Sequence, residues 1–307
     1  METTRHISQP LFSIIIPTHD RPHPLAACLF ALSRLTFAKN RMEVIVVDDG
    51  GQFPLQPLID RFRHHLPLIF VRQESAGPAA ARNRGASRAR GKFLAFTDDD
   101  CRPAPAWLTC LQHHLRENPH CVVGGKVVNA LPDNAYAAFS QLLLDFLYAY
   151  QNRNLENVCF LASCNIALAR RQFLASGGFD ETYRRAGGED REFCRRLRQK
   201  GYDMVYASKA VVFHAHDLSL TSFCRQQFNY GCGAFHFSKT LRQASRALPW
   251  GFYLNLCHNS YAQGRKSRRG FLFITLLFIS QLSTAAGFIN ATKDNKLRHP
   301  AIWPVRN

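Results

Sequence analysis

The stretch Phe93-Leu94-Ala95-Phe96-Thr97-Asp98-Asp99-Asp100 sets a short apolar run directly against three consecutive carboxylates. An apolar run of this length that stops at a polar cluster reads as a buried strand. Three adjacent carboxylates at a strand end repel one another. A hard divalent cation such as Mg2+ or Mn2+ relieves that repulsion and is often shared with a substrate diphosphate. Standing alone, the triplet reads equally well as a surface turn, with Asp100 or a neighbour capping a helix opened by Pro103.

Upstream, the same pattern recurs. Ser13-Ile-Ile-Ile-Pro17 is a β-branched run ended by proline, and Glu43-Val-Ile-Val-Val47 is a second run that stops at Asp48-Asp49-Gly50-Gly51. Helical spacing covers 24–37, 55–64 and the small-residue segment 78–90, with a strand over 68–72 between the last two. Pro103 and Pro105 suit the start of a helix reaching 116, and Val122-Val123 opens a further strand. This alternation is the pattern of a parallel sheet covered by helices on both faces. Ligands of such sheets bind beyond the carboxyl ends of the strands, where both acidic clusters fall. A carboxylate at 48–49 can accept hydrogen bonds from a base N–H or from ribose hydroxyls, although Asp-Gly pairs are also ordinary turn residues.

The totals narrow the class. The chain has 307 residues, 46% of them apolar, enough for one large α/β domain and an appendage. Its formal net charge of +17 calls for an anionic partner. No helix-turn-helix, zinc-finger or RNA-binding signature accompanies that charge, and the acidic clusters would repel phosphates, so nucleic acid is not expected as the partner. A dinucleotide enzyme would carry G-x-G-x-x-G after the first strand, where this chain reads Pro17-Thr-His-Asp-Arg-Pro22. A nucleotidyltransferase on a related sheet remains an alternative. The ten cysteines form no C-x-x-C pair and read as buried thiols of a reducing compartment. METTRHISQP has no apolar region ahead of the first strand, so the catalytic part is expected in the cytoplasm.

Four segments in order, Ser13–Asp20, Val44–Gly50, Gly77-Pro-Ala-Ala-Ala-Arg-Asn-Arg-Gly85 and Phe96–Asp100, resemble the successive motifs of family 2 glycosyltransferases. The resemblance covers most of 11–235. It implies a GT-A fold, a mainly parallel central sheet flanked by helices, with a C-terminal helical appendage. It also implies inverting transfer of a sugar from a nucleotide-diphospho-sugar, with a uridine nucleotide as the default. By position, Thr18 and Asp20 would border the base, Asp49 would bind it with Asp48 beside it, and Arg82 would approach the base or diphosphate. Asp98 would contact the ribose with Asp99 adjacent, and Asp100, with Asp98, would hold Mg2+ or Mn2+.

The second half supplies the remaining parts. Residues 135–151 read as helical, 160–168 as extended, 189–200 as a charged helix, 203–214 as one or two strands and 219–238 as a helix. Gly187-Gly188-Glu189-Asp190 matches the family's acidic pair, which implies Asp190 as catalytic base with Glu189 beside it. Acids in a helix's first turn also simply favour its dipole. Cys164-Asn165 occupies the region that in the family shapes the sugar and acceptor site; the pair also reads as a plain strand edge. His214 and His216 alternate after a strand, so both imidazoles share a face; the family often has a histidine here reaching the metal or diphosphate.

The residues expected to form two units are 11–238, the transferase, and 239–307, a basic and apolar helical region. Within the latter, 271–291 carries no charge and approaches bilayer length. It reads either as a single span or as a buried or interfacial helix. Arg265, Lys266, Arg268 and Arg269 precede it, which places the domain on the cytoplasmic side and suits an anionic membrane surface. The acceptor is then expected to be a glycan or a lipid-linked intermediate.

Overall fold

The computed structural model describes residues 9–152, 158–240, 250–266 and 268–298. Its centre is one eight-stranded sheet in the order β3-β2-β1-β4-β7-β6-β8-β5. Here β1 is Phe12–Thr18, β2 Met42–Asp49, β3 Leu68–Gln73, β4 Phe93–Phe96, β5 Cys101–Pro103, β6 Val122–Asn129, β7 Ile166–Ala169 and β8 Met204–His214. The half made of β3, β2, β1 and β4 is parallel throughout. Beyond β4 the sheet is mixed, because β7 runs antiparallel to both β4 and β6, while β6 and β8 are parallel. The GT-A fold expected from the sequence is the one observed.

Period-two alternation splits the core into two layers. Phe12, Ile14 and Ile16 face the helices α1 (Pro22–Ser33) and α4 (Trp107–Glu117), whose Leu25, Leu29, Trp107 and Leu111 are fully buried. Ile15, Ile45 and Val47 face α3 (Pro78–Arg88) and α7 (Glu189–Gln199). The alanines of α3 allow a close approach to the sheet, and Gly85 lies against the side chain of Ile15, where a Cβ would collide.

Several boundaries differ from expectation. The first helix ends at Ser33 rather than 37. Pro103 opens no helix: it ends the edge strand β5, and α4 starts at Trp107. An edge strand tolerates proline because the missing N–H has no ladder partner to satisfy. The extended region 160–168 condenses to β7. Residues 203–214 form a single strand, bulged where its pairing with β6 shifts between Gly125 and Lys126.

Of the remaining helices, α2 (Gln56–Arg63) joins the layer of α1 and α4, and α6 (Arg170–Ser176) joins that of α3 and α7. The helices α5 (Ala135–Gln151), α8 (Leu220–Thr240), α9 (Trp250–Lys266) and α10 (Gly270–Arg298) pack with one another. Phe139, Phe223, Phe252, Phe273 and Leu276 form one cluster joining α5, α8, α9 and α10. Cys232, Phe235, Phe228, Phe288 and Ala291 form another between α8 and α10. The two helices cross at glycines, since a Cβ on Gly231 would strike the Thr284 carbonyl and one on Gly287 the Phe228 carbonyl. None of the ten cysteines is in a disulfide, and Cys28, Cys101, Cys121, Cys164, Cys194 and Cys232 are buried.

Candidate active site

Because β1, β2 and β4 are parallel, their carboxyl ends open on one edge, and the register pairs Thr18 with Asp48 and Asp49 with Gln73. The acidic residues there first build their own loops. Asp48, buried, accepts from Gly51 N at 2.9 Å. Asp49 accepts from Ala76 N at 2.9 Å, Gly77 N at 2.8 Å and Gln73 Nε2 at 2.7 Å, which fixes the loop leading into α3. Asp20 has the left-handed φ of 53° that aspartate tolerates. It accepts from Phe53 N and Gln52 N, and these amides hold its carboxyl below the usual value.

The triple aspartate divides into three environments. Asp98 is partly exposed and accepts from Arg82 Nη2 at 2.7 Å. Asp99 is buried, accepts from Thr18 Oγ1 at 2.7 Å and pairs with Arg21 Nη1 at 2.9 Å. Its burial prevails over Arg21 and raises it to about 7. Asp100 is equally buried, but its burial is outweighed by His214 and Arg21, which hold it well below the carboxylate range. Arg21 Nη2 lies 2.7 Å from Asp100 Oδ2 and His214 Nε2 lies 3.1 Å from Oδ1.

Sheet pairing explains the histidine. β5 runs antiparallel to β8 with Cys101 opposite His214, so the residue before Cys101 meets the end of β8. His214 and His216 stack with ring centroids 4.9 Å apart. Burial alone would lower His214, but Asp100 raises it to about 9, whereas burial and the adjacent His214 lower His216 to about 4. Ligand atoms of Asp100, His214 and His216 all lie within 4.8 Å of one another. One carboxylate and two imidazoles form a mixed oxygen–nitrogen donor set. That set fits Mn2+ better than Mg2+, which prefers oxygen alone. Asp98 is outside this group and is held by Arg82 instead.

Arg82 is the hinge between the two halves of the site. Buried on α3, it joins Asp98 to Glu189 Oε1, the latter at 3.1 Å, and its guanidinium lies 5.5 Å from the Phe179 ring centroid. Its Nε has no hydrogen-bond partner among the described residues. Glu189 is committed twice, since its Oε2 also accepts from Gly187 N at 2.7 Å. Asp190, half-buried in the first turn of α7, accepts only from its neighbour Arg191 N at 2.8 Å among the hydrogen bonds of the described residues. Burial and then the Glu189 charge raise Asp190 to about 7.

The loop leading to these acids is clamped. Asn83 exchanges two hydrogen bonds with the backbone of Phe179, both at 2.8 Å, and Phe179 packs against Phe193 at 4.4 Å between centroids. A Cβ on Gly233 of α8 would run into the Gly187 carbonyl, so α8 seats directly on this loop. Asn165 is structural: it accepts from Trp107 Nε1 at 2.8 Å and donates to the Lys126 and Ala210 carbonyls at the bulge. Cys164 beside it is buried.

Arg21 and Asn83 were given no role from the sequence, and Tyr230 was read only within Arg225–Gly231, as a basic segment that covers the donor or approaches a lipid phosphate, or as a solvated helix face. Arg21 pairs with Asp99 and Asp100, Asn83 clamps the loop, and Tyr230 lies against Gly187. Arg21 had a signal, a cation one residue beyond Asp20 in the segment after the first strand.

A GT-A sheet with carboxylates at its strand ends and a carboxylate–imidazole cluster beside them defines a nucleotide-sugar transferase architecture. Residues 13–178 match the family described as Glycosyl transferase family 2, and 151–217 match the one described as N-terminal domain of galactosyltransferase. The chain belongs to glycosyl transferase family 2. It is 30% identical over 208 residues to the pre-mycofactocin glycosyltransferase of Mycobacterium tuberculosis (strain CDC 1551 / Oshkosh), covering 66% of this chain and 44% of the relative. It is 31% identical over 236 residues to the hyaluronan synthase of Pasteurella multocida, covering 66% of this chain and 24% of the relative. The chain thus spans less than half the length of either relative. Its fold is similar to that of the mannosyltransferase PcManGT from Pyrobaculum calidifontis in complex with GDP-Man and Mn2+ (TM-score 0.60, 19% identity, 95% of this chain and 82% of that one).

Proposed function

We propose that the chain transfers a sugar from a nucleotide-diphospho-sugar to an acceptor hydroxyl, with inversion at the anomeric carbon. The observation that carries this reading is the arrangement about Arg82. It ties the carboxylate expected at the donor, Asp98, to the acidic pair expected at the acceptor, leaving Asp190 as the less committed acid. In the ionised state Asp190 takes the proton of the acceptor hydroxyl. The acceptor oxygen bonds to the anomeric carbon as the bond to the diphosphate oxygen breaks, and the nucleotide diphosphate leaves with the electron pair. Asp49, Asp48, Thr18 and Asp20 border the nucleotide through the loops they order, and Asp98 with Asp99 faces the ribose. Asp100, His214 and His216 would hold a divalent cation. When bound, that cation neutralises charge developing on the leaving diphosphate. The relative's complex with GDP-Man and Mn2+ supports this class of donor and metal, and the donor's base is open between uridine and guanosine.

Residues 11–238 carry the transfer, and the helices α9 and α10 of the region 239–307 face an anionic membrane on its cytoplasmic side. Gly270–Lys293 is long and apolar enough to cross a bilayer, with a mean hydropathy of 1.9. One face of α10 is nevertheless built into the clusters with α5, α8 and α9, while Phe271 (83% exposed), Phe278, Leu282 and Ile289 stay outside. Trp250 (85% exposed) and Leu254 extend the apolar surface on α9, and Arg265, Lys266 and Arg268 are exposed at its rim. An interfacial helix with basic residues at headgroup level accounts for both faces.

The test is nucleotide diphosphate release from UDP- and GDP-sugars with and without Mn2+ or Mg2+. Asp100→Ala and Asp190→Asn should each lower turnover at least about a hundredfold, the scale of general-base and charge-stabilising groups. Full activity in either variant rejects the role assigned to that residue.

A further inference from the structure

A second feature of the molecule lies away from the metal-ligand cluster. A cavity of about 910 Å³ opens between the start of α3, the loop before α7, and helices α8 and α10. Its lining includes Ala76, whose amide helps hold Asp49, and Gly187, whose amide holds Glu189. The cavity therefore touches both the loop expected at the nucleotide and the loop that carries Asp190. Its volume lies within the roughly 300–1,000 Å³ of small-ligand clefts.

The charges on its walls are unequally matched. Asp180 accepts from Thr182 N at 2.9 Å and Glu181 from Asn83 Nδ2 at 2.9 Å, so both acids have local partners. Arg184 and Arg185 line the cavity, and among the described residues neither has a carboxylate within 4.0 Å. Arg185 rests instead against the Cys232 sulfur at 3.9 Å and the Phe228 ring, centroid 5.9 Å away. The backbone of Arg184 is pinned, because a Cβ on Gly77 would strike its carbonyl. Two adjacent guanidinium groups on a fixed loop, with no carboxylate to meet them, match a phosphate or diphosphate in geometry and charge. The far wall is Asn290 and Ala291 of α10, next to the outward apolar residues Ile289 and Leu282.

We propose that this cavity is the acceptor subsite, and that Arg184 and Arg185 receive the phosphate or diphosphate of a lipid-linked acceptor whose chain leaves along α10. The word acceptor rests on the glycosyltransferase reading; the phosphate-binding part does not.

The experiment measures binding by titration calorimetry to the full chain, without donor or metal. The probes are geranyl diphosphate, inorganic pyrophosphate and phosphatidylglycerol vesicles. Geranyl diphosphate should bind at least tenfold more tightly than pyrophosphate, and R184A/R185A should weaken it at least tenfold at unchanged melting temperature. Asn290→Trp, which fills the far wall and spares both arginines, should weaken geranyl diphosphate while leaving pyrophosphate unaffected. Equal affinity for both diphosphates overturns the lipid part. No change in R184A/R185A, or binding to vesicles alone, overturns the subsite. UDP or GDP binding with Mn2+ should survive in R184A/R185A, and its parallel loss would assign the arginines to the donor. If the wild type binds neither nucleotide yet binds geranyl diphosphate through the arginines, the transferase reading fails and the anion site stands.

Discussion

Replacing Arg82 by methionine keeps the apolar length of the side chain and removes the charge that joins Asp98 to Glu189. The two partners should respond differently. Asp98 is about a quarter exposed, 27%, and can turn to water, so its loss is small, about 0–1 kcal/mol. Glu189 is 5% exposed, and its other contact is the single amide of Gly187. Breaking a buried pair by removing one partner costs about 3–5 kcal/mol. A buried glutamate without a partner can escape by taking up a proton. From an ordinary value near 4.3, at about 1.36 kcal/mol per pH unit, that escape costs about 3.7 kcal/mol at pH 7 and about 1 kcal/mol at pH 5. R82M should therefore lose about 3–4 kcal/mol at pH 7 and about 1–2 kcal/mol at pH 5. The sign follows from linkage: the orphaned acid favours its protonated form in the folded state, so the variant weakens as pH rises. R82M/E189Q should recover most of the loss at pH 7 and show little of the pH dependence. Urea unfolding of the metal-free protein, followed by far-UV circular dichroism at both pH values, reads all of these. A deficit below about 1 kcal/mol at pH 7, or one equal at both pH values, refutes the buried bridge.

The remaining predictions concern chemistry and location. Since burial and Glu189 raise Asp190 to about 7, its base form is lost as pH falls through that value. A pH profile of kcat/KM should then show an acid limb near 7, and a limb near 4 would remove Asp190 from the role. The same raised value means that its contribution to folding is full below about 3.8 and is lost as pH rises through about 7. His214→Ala and His216→Ala should each weaken Mn2+ binding at least about tenfold, measured by electron paramagnetic resonance of free Mn2+, whereas Asp98→Asn should change it less. Phe271→Glu with Phe278→Glu should abolish flotation with phosphatidylglycerol vesicles and leave the melting temperature within a few degrees, because both side chains lie outside the clusters that seat α10.

What the sequence determined by itself is local and periodic. The apolar runs at 13–17, 43–47 and 93–97 form β1, β2 and β4, and carboxylates that follow parallel strands must emerge on one edge. Thr18, Asp49 and Asp98 to Asp100 are therefore legible as one region from the sequence. The charged start of α7 was legible too, from acids after paired glycines. What the tertiary structure alone decided is who meets whom. Arg82 and Glu189 are 107 residues apart, and only the packing of α3 beside α7 unites them. His214 reaches Asp100 because the three-residue edge strand β5 pairs antiparallel with β8, and a run of Cys-Arg-Pro carries too little pattern to be read as a strand. The same folding leaves Asp98 outside the cluster of Asp100, His214 and His216, sends Asn165 to the bulge carbonyls, and brings Arg21 onto two of the three aspartates. Strands are encoded by neighbours along the chain, so periodicity exposes them. Ion pairs and ligand sets are encoded by strand order and helix packing, which no local pattern contains.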